Sequence, residues 1–277
     1  MKKRLSGLAL ALFYPLLNTL LQFVVQFVPA LFAALLLPRA GSLHSLYLEN
    51  FLGDLSAAWL PIFAVSSGLF LLIVGLIFHK RGVSLGQMLF SRPLTARQGV
   101  LCLLLGLSMY LFTAQLLEIV PFPESWMQRY TETWENFEQS LSVSSFLLYT
   151  LLLAPVMEEI IFRGLTLPAL RTAMPVWSAV LLQAVLFGAF HMNMMQFSYA
   201  LLPGVVLGLA GVLTGSLRGP VIMHIVYNSA GFFVGDFIPP PAPWGYALLA
   251  VFLMLSTVLL ILLRNPTDAS QPSRPAL

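Results

Sequence analysis

The sequence predicts an all-α fold, a polytopic transmembrane helical bundle of about eight helices with both termini cytoplasmic. Three observations carry this expectation. Of 277 residues, 58% are hydrophobic and 9% charged, against about 25% charged in a soluble domain, and the mean hydropathy is +0.88. The apolar residues form runs of the roughly 20 residues that a ~30 Å hydrocarbon layer requires. The basic residues fall between those runs in a pattern that places nearly all of them on one side. A single multi-pass domain over 1–264 is expected, because no polar stretch is long enough to build a second, soluble one.

The first run, 5–37, follows Lys2, Lys3 and Arg4 and far exceeds the ~7–15 residues of a cleaved signal. It reads as an uncleaved first span over 8–37, kinked at Pro15 or Pro29. The remaining spans are predicted at 57–78, 100–120, 145–170, 176–192, 199–217, 221–236 and 246–263. With the N-terminus inside, eight crossings leave only Arg39 and Arg129 of the 14 Lys+Arg outside, as the positive-inside rule requires. That list places Arg163 among the cytoplasmic cations.

Between the third and fourth spans, 121–140 holds Glu124, Glu132, Glu135 and Glu138 with Trp126, Tyr130 and Trp134. It predicts a short interfacial helix with aromatic anchors. In the sixth span, Gly204 with Gly208 and Gly211 with Gly215 are small-xxx-small pairs for close helix packing inside the chain. The tail 265–277, rich in Pro and Ser, is expected to be disordered and cytoplasmic. The net charge of +3 is too small to suggest nucleic-acid binding. Cys102, the single cysteine, excludes intrachain disulfides and a thiolate zinc site.

The informative residues are ionisable groups in the spans, each costing roughly 2.5–3.5 kcal/mol at a helix centre on insertion scales. The first cluster is Glu158-Glu159-Ile160-Ile161-Phe162-Arg163. Glu159 and Arg163 stack four apart and can pair, whereas Glu158 lies about 100° round the helix and is left as a candidate general base. The bland alternative is an ion pair at a helix end. The second cluster is Phe187-Gly188-Ala189-Phe190-His191, and the third is His224-Ile225-Val226-Tyr227-Asn228, with imidazole and amide on one face. Taken singly, such histidines are more often packing residues, or interhelical hydrogen bonds worth ~0.6 kcal/mol. Three helices contributing together favour a site. Glu158 reaches the level of His191 only if the fourth helix continues past Arg163 and through Pro168, with Asn228 then somewhat nearer the cytoplasm.

Glu-Glu-x-x-x-Arg at 158–163, Phe-x-x-x-His at 187–191 and His-x-x-x-Asn at 224–228 resemble the CPBP family. These are intramembrane proteases related to Rce-type CAAX prenyl endopeptidases and to bacteriocin-processing and immunity proteins. The resemblance covers about 145–231, supported by Phe162-Arg163-Gly164 and Thr214-Gly215-Ser216-Leu217. It implies an endopeptidase in which Glu158, assisted by His191, activates a water, His224 and Asn228 stabilise the oxyanion, and Glu159 and Arg163 support the helix. Glu158, His191 and His224 also form a conceivable zinc set with an open position, so metal dependence stays open. The substrate implied is a membrane-associated protein or peptide, and the location a multi-pass one in the cell membrane, of prokaryotic plasma-membrane character.

Two other classes compete. A proton-coupled transporter would use Glu158 and the histidines as a relay, but the internal repeats and paired broken helices of carriers are not visible. A catalytically idle scaffold would be expected to have lost a motif residue, and none is lost. Gly-x-Gly-Asp is absent around Gly235-Asp236, and Ser66-Ser67-Gly68 lacks the rhomboid arrangement.

Overall fold

The computed structural model describes residues 2–36, 59–89, 92–139, 141–234 and 245–263. The predicted disordered tail, with Arg39, Asp236, Arg264 and Arg274, lies outside the described residues. The helices are α1 (Lys2–Leu36), α2 (Trp59–His79), α3 (Leu85–Leu89), α4 (Ala96–Ile119) and α5 (Glu124–Gln139). After them come α6 (Val143–Ala173), α7 (Val176–Phe190), α8 (Met194–Thr214), α9 (Arg218–Val234) and α10 (Gly245–Leu263).

Among the described residues, six helices are long and apolar enough to cross a membrane: α1, α2, α4, α6, α8 and α10. The predicted fifth and seventh spans are present as helices but fall short, α7 with 15 residues and α9 with 17. Neither proline breaks α1, which runs unbroken through Pro15 and Pro29. The amphipathic α5 sits where the interfacial helix was predicted.

Local chemistry sets the boundaries. Thr95 and Gln98 form a reciprocal capping box at the start of α4, satisfying two orphan backbone donors. Asn193 caps α8 by accepting from the Gln196 N–H, and Gly215 ends it in the left-handed region, φ 63°, where a Cβ would cost energy. The fourth glycine of the α8 series is therefore a cap. The other three are packing sites. A Cβ on Gly204 would lie 3.0 Å from Ala184 Cβ, one on Gly208 2.9 Å from Gln183 Oε1, and one on Gly211 3.3 Å from Pro220. These contacts are within the chain, as expected.

Two apolar clusters form the interior. One joins α1, α2, α6, α7 and α8, the other α4, α8, α9 and α10. Gly106 lets α4 touch α9, since a Cβ there would lie 2.6 Å from the Met223 carbonyl oxygen.

The two ends of the bundle differ chemically. At one end the Ser216 hydroxyl donates to the Arg92 carbonyl at 2.7 Å, and the Arg97 guanidinium reaches the Leu262 carbonyl at 2.8 Å. Gly7 packs on Ala169 and Thr172 beside Arg171. At the other end Trp134 and Phe137 of α5 pack on Phe146. There the Tyr130 and Tyr199 hydroxyls also share a hydrogen bond of 3.3 Å. Burial raises the Tyr130 phenol above its ordinary value, partly offset by hydrogen bonds from Tyr199 and Trp134. Arg163 belongs to neither end. Fully buried within α6, it is not a loop cation and must be removed from the cytoplasmic set, because it is held by a carboxylate one turn away.

Gly106→Ala should lower unfolding stability by about 1–3 kcal/mol, the usual cost of overpacking, in denaturant titrations of the purified protein. For orientation, Glu135→Cys and Arg218→Cys can be placed separately in a Cys102→Ala background. In intact cells an impermeant maleimide should label the first and spare the second.

Candidate active site

The site is built on α6, whose hydrogen-bond register changes twice. In the wide turn Tyr149–Leu153 the Ala154 N–H bonds the Tyr149 carbonyl, and in the wide turn Ile160–Thr166 the Leu167 N–H bonds the Phe162 carbonyl. Each is an i→i−5 bond, and a proline follows each, Pro155 and Pro168. A proline ring inside a regular helix clashes with the carbonyl four residues earlier. Widening the preceding turn moves that carbonyl away and lets the helix continue. This is how α6 passes Arg163 and Pro168 unbroken, which is what bringing Glu158 near the histidines required.

Glu158 and Glu159 sit in the ordinary α-turn between the two wide ones. Glu159 turns inward. Its Oε1 accepts from Arg163 Nη1 at 2.7 Å and lies 2.8 Å from His224 Nδ1. Arg163 has three engagements: this carboxylate, the Gly204 carbonyl at 3.2 Å, and the Phe187 ring, 4.3 Å from its guanidinium carbon. Glu158 faces another way, with Oε2 3.8 Å from His224 Nε2. Side-chain exposures of 0% for Glu159, 1% for Arg163, 8% for His224 and 19% for Glu158 make Glu158 the carboxylate with access to solvent or substrate.

His191 and Asn228 stand around this centre. His191 caps the end of α7, its Nδ1 2.9 Å from the Phe187 carbonyl. Its ring and that of His224 both meet the Phe187 ring edge-on, with centroids 5.0 and 5.9 Å apart. Asn228 donates from Nδ2 to the Thr150 carbonyl at 2.9 Å. It therefore lies on the α5 side of Glu158 and not towards Arg218, where the sequence suggested it. The reason is that the other residue of its motif, His224, one turn earlier on α9, is already level with the two glutamates.

The tautomers follow from the partners. Glu159 Oε1, already the acceptor for Arg163, and the Phe187 carbonyl can only accept, so both imidazoles carry a proton on Nδ1 and turn Nε2 to the site. The link between His224 and Glu159 was not visible in the sequence, since spacing within α6 relates Glu159 to Arg163 but says nothing of α9. Thr150 was missed as well, and Phe187, the first residue of the second motif, had been given no role. Phe187 acts through its ring and carbonyl, and Thr150 through a backbone oxygen, which composition does not mark. Among the described residues no three His, Cys, Asp or Glu side chains are grouped to hold a metal ion.

Residues 140–230, which contain all of these side chains, match the model of the type II CAAX prenyl endopeptidase Rce1-like family. This segment is similar to the Rce1-like family. An Escherichia coli protein described as an uncharacterized 24.3 kDa protein is 31% identical over 94 residues, 32% of this chain and 43% of the relative. The chain thus spans less than half the length of the curated relative it matches. No solved structure matches. The Rce1-like core begins at the start of α6 and ends in α9, close to the 145–231 expected from the motifs.

Removing Arg163 leaves the buried Glu159 without its main counter-charge. Arg163→Leu should cost about 3–5 kcal/mol in the same unfolding measurement. Arg163→Lys should recover only part of that, because an ammonium lacks the planar fork that reaches Glu159 and the Gly204 carbonyl together.

Proposed function

We propose that this chain is an intramembrane endopeptidase that hydrolyses a peptide bond of a membrane-associated protein or peptide. The observation that carries the reading is the division of labour between adjacent carboxylates. Glu159 is buried, neutralised by Arg163 and hydrogen-bonded to His224, while Glu158 is accessible and faces the free nitrogen of His224. The similarity of residues 140–230 to the Rce1-like family supports it.

In this mechanism Glu158 takes a proton from a water whose oxygen attacks the scissile carbonyl carbon. The 3.8 Å between Glu158 and His224 is too long for a direct hydrogen bond, and a water can touch both groups at that spacing. His191, with its Nε2 lone pair free, shares in accepting the proton. As the carbonyl oxygen becomes an oxyanion, Asn228 donates to it. His224 donates as well whenever its Nε2 carries a proton. When the tetrahedral intermediate collapses, the C–N bond breaks, and the proton held by Glu158 passes to the leaving amine. The sum is water plus a peptide bond giving a carboxylic acid and an amine.

The positive-inside pattern orients both termini to the cytoplasm, in a prokaryotic plasma membrane. The Asn228 and α5 side of the site then faces away from the cytoplasm.

The test compares membrane-protein N-termini from cells carrying wild type and Glu158→Gln at matched expression. Termini present with wild type should fall by at least ~10²-fold in the variant, the range for losing a general base. Asn228→Ala should lower them by about 10²–10³-fold. A zinc chelator added to purified protein should leave cleavage of the substrate so identified unchanged. Equal termini from wild type and Glu158→Gln, with both proteins folded, would move the weight to a proton-coupled carrier or an idle scaffold.

A further inference from the structure

Every backbone carbonyl inside a helix has a predictable donor, so one that lacks it is conspicuous. The Thr150 carbonyl in α6 has two possible main-chain partners. In α register the donor is the Ala154 N–H, but that group bonds Tyr149. In the wider register the donor would come from residue 155, which is proline and has no N–H. Both routes are closed. The acceptor left over is the one that Asn228 Nδ2 reaches at 2.9 Å from α9.

The geometry points to Pro155 as a positioning residue for the reaction: by removing one N–H, it reserves the Thr150 carbonyl to orient the Asn228 amide. An asparagine side chain has a donor end and an acceptor end of nearly equal shape. A carbonyl oxygen can only accept, so Thr150 holds the NH2 end towards α6 and excludes the flipped amide, in which two oxygens would face each other. The NH2 group has two hydrogens. One is held by Thr150 and the other is free for a developing oxyanion. A flipped Asn228 would instead present oxygen to the oxyanion and oppose the reaction. Pro155 acts through the carbonyl it leaves unpaired. This rests on the reading of Asn228 as an oxyanion donor, although the hydrogen-bond accounting does not.

Pro155→Ala and, as a second variant, Pro155→Ser each restore the missing N–H, which can then close on Thr150. Both are combined with Asn228→Ala in the full-length protein. The first readout is the unfolding midpoint in detergent. Asn228→Ala should lower it when Pro155 is present and change it little when residue 155 carries an N–H. The second is the yield of the Glu158-dependent N-termini defined above. Pro155→Ala should reduce that yield at least about tenfold, towards the ~10²–10³ of losing the donor outright, and should reduce it no further in an Asn228→Ala background. A purely structural proline would give additive stability effects and the same fractional loss of yield in both backgrounds, and that result overturns the proposal. If wild type produces no Glu158-dependent termini, the protease reading fails, and the stability cycle alone decides the role of Pro155.

Discussion

The constraint on which this structure depends is a buried ion pair: Glu159 and Arg163 meet each other, and His224, in the middle of a helix bundle with almost no access to water. Isolated, each charge would be costly there. Together they neutralise one another, and the remaining donors of Arg163 reach a carbonyl on α8 and an aromatic face on α7. Four helices are tied to one guanidinium through these contacts, since His224 brings in α9. The same cluster sets the state of the site, because Glu159 fixes the His224 tautomer and separates its own role from that of Glu158. A change at Arg163 therefore acts on packing and chemistry together.

Close approach of the helices is a precondition. The α7–α8 pair meets across Gly204 and Gly208 and the α4–α9 pair across Gly106, positions where a methyl group would collide with a neighbour. Without that proximity Gly204 could not offer its carbonyl to Arg163, and His224 would stand too far from α6 to share Glu159. The aromatic end works differently. There α5 lies on Phe146 and Tyr199 through rings and a shared phenolic hydrogen bond, in keeping with aromatic side chains at a membrane interface.

Most of the fold could be read from hydropathy because membrane helices must satisfy their backbones internally and must be apolar over a set length. The Glu159–Arg163 pair was equally legible, since four-residue spacing on a helix is a geometric statement. The departures have a common cause. Arg163 was counted among loop cations because a charge at the end of a motif looks like a helix terminus, and only its burial against Phe187 shows otherwise. His224 meeting Glu159, and Asn228 meeting Thr150, depend on how α9 slides along α6. That register is set by glycine contacts and by two widened turns, neither of which leaves a periodic signal. The prolines at 155 and 168 were a visible hint, but the sequence does not say whether a proline breaks a helix or is accommodated by a looser turn.

The brevity of α7 has a consequence for the surrounding lipid. Fifteen residues at 1.5 Å each span about 22 Å, well short of a ~30 Å hydrocarbon layer. Where acyl chains meet this helix and compress to match it, the cost is a fraction of a kcal/mol for each ångström of mismatch. Such compression would thin the bilayer next to the helix that ends at His191. A transmembrane segment of ordinary length arriving there would have its end lifted out of hydrocarbon and hydrated, so that its last turn unwinds more readily. A dent in the membrane would thus favour an extended backbone in such a segment, before any side chain of the bundle makes contact.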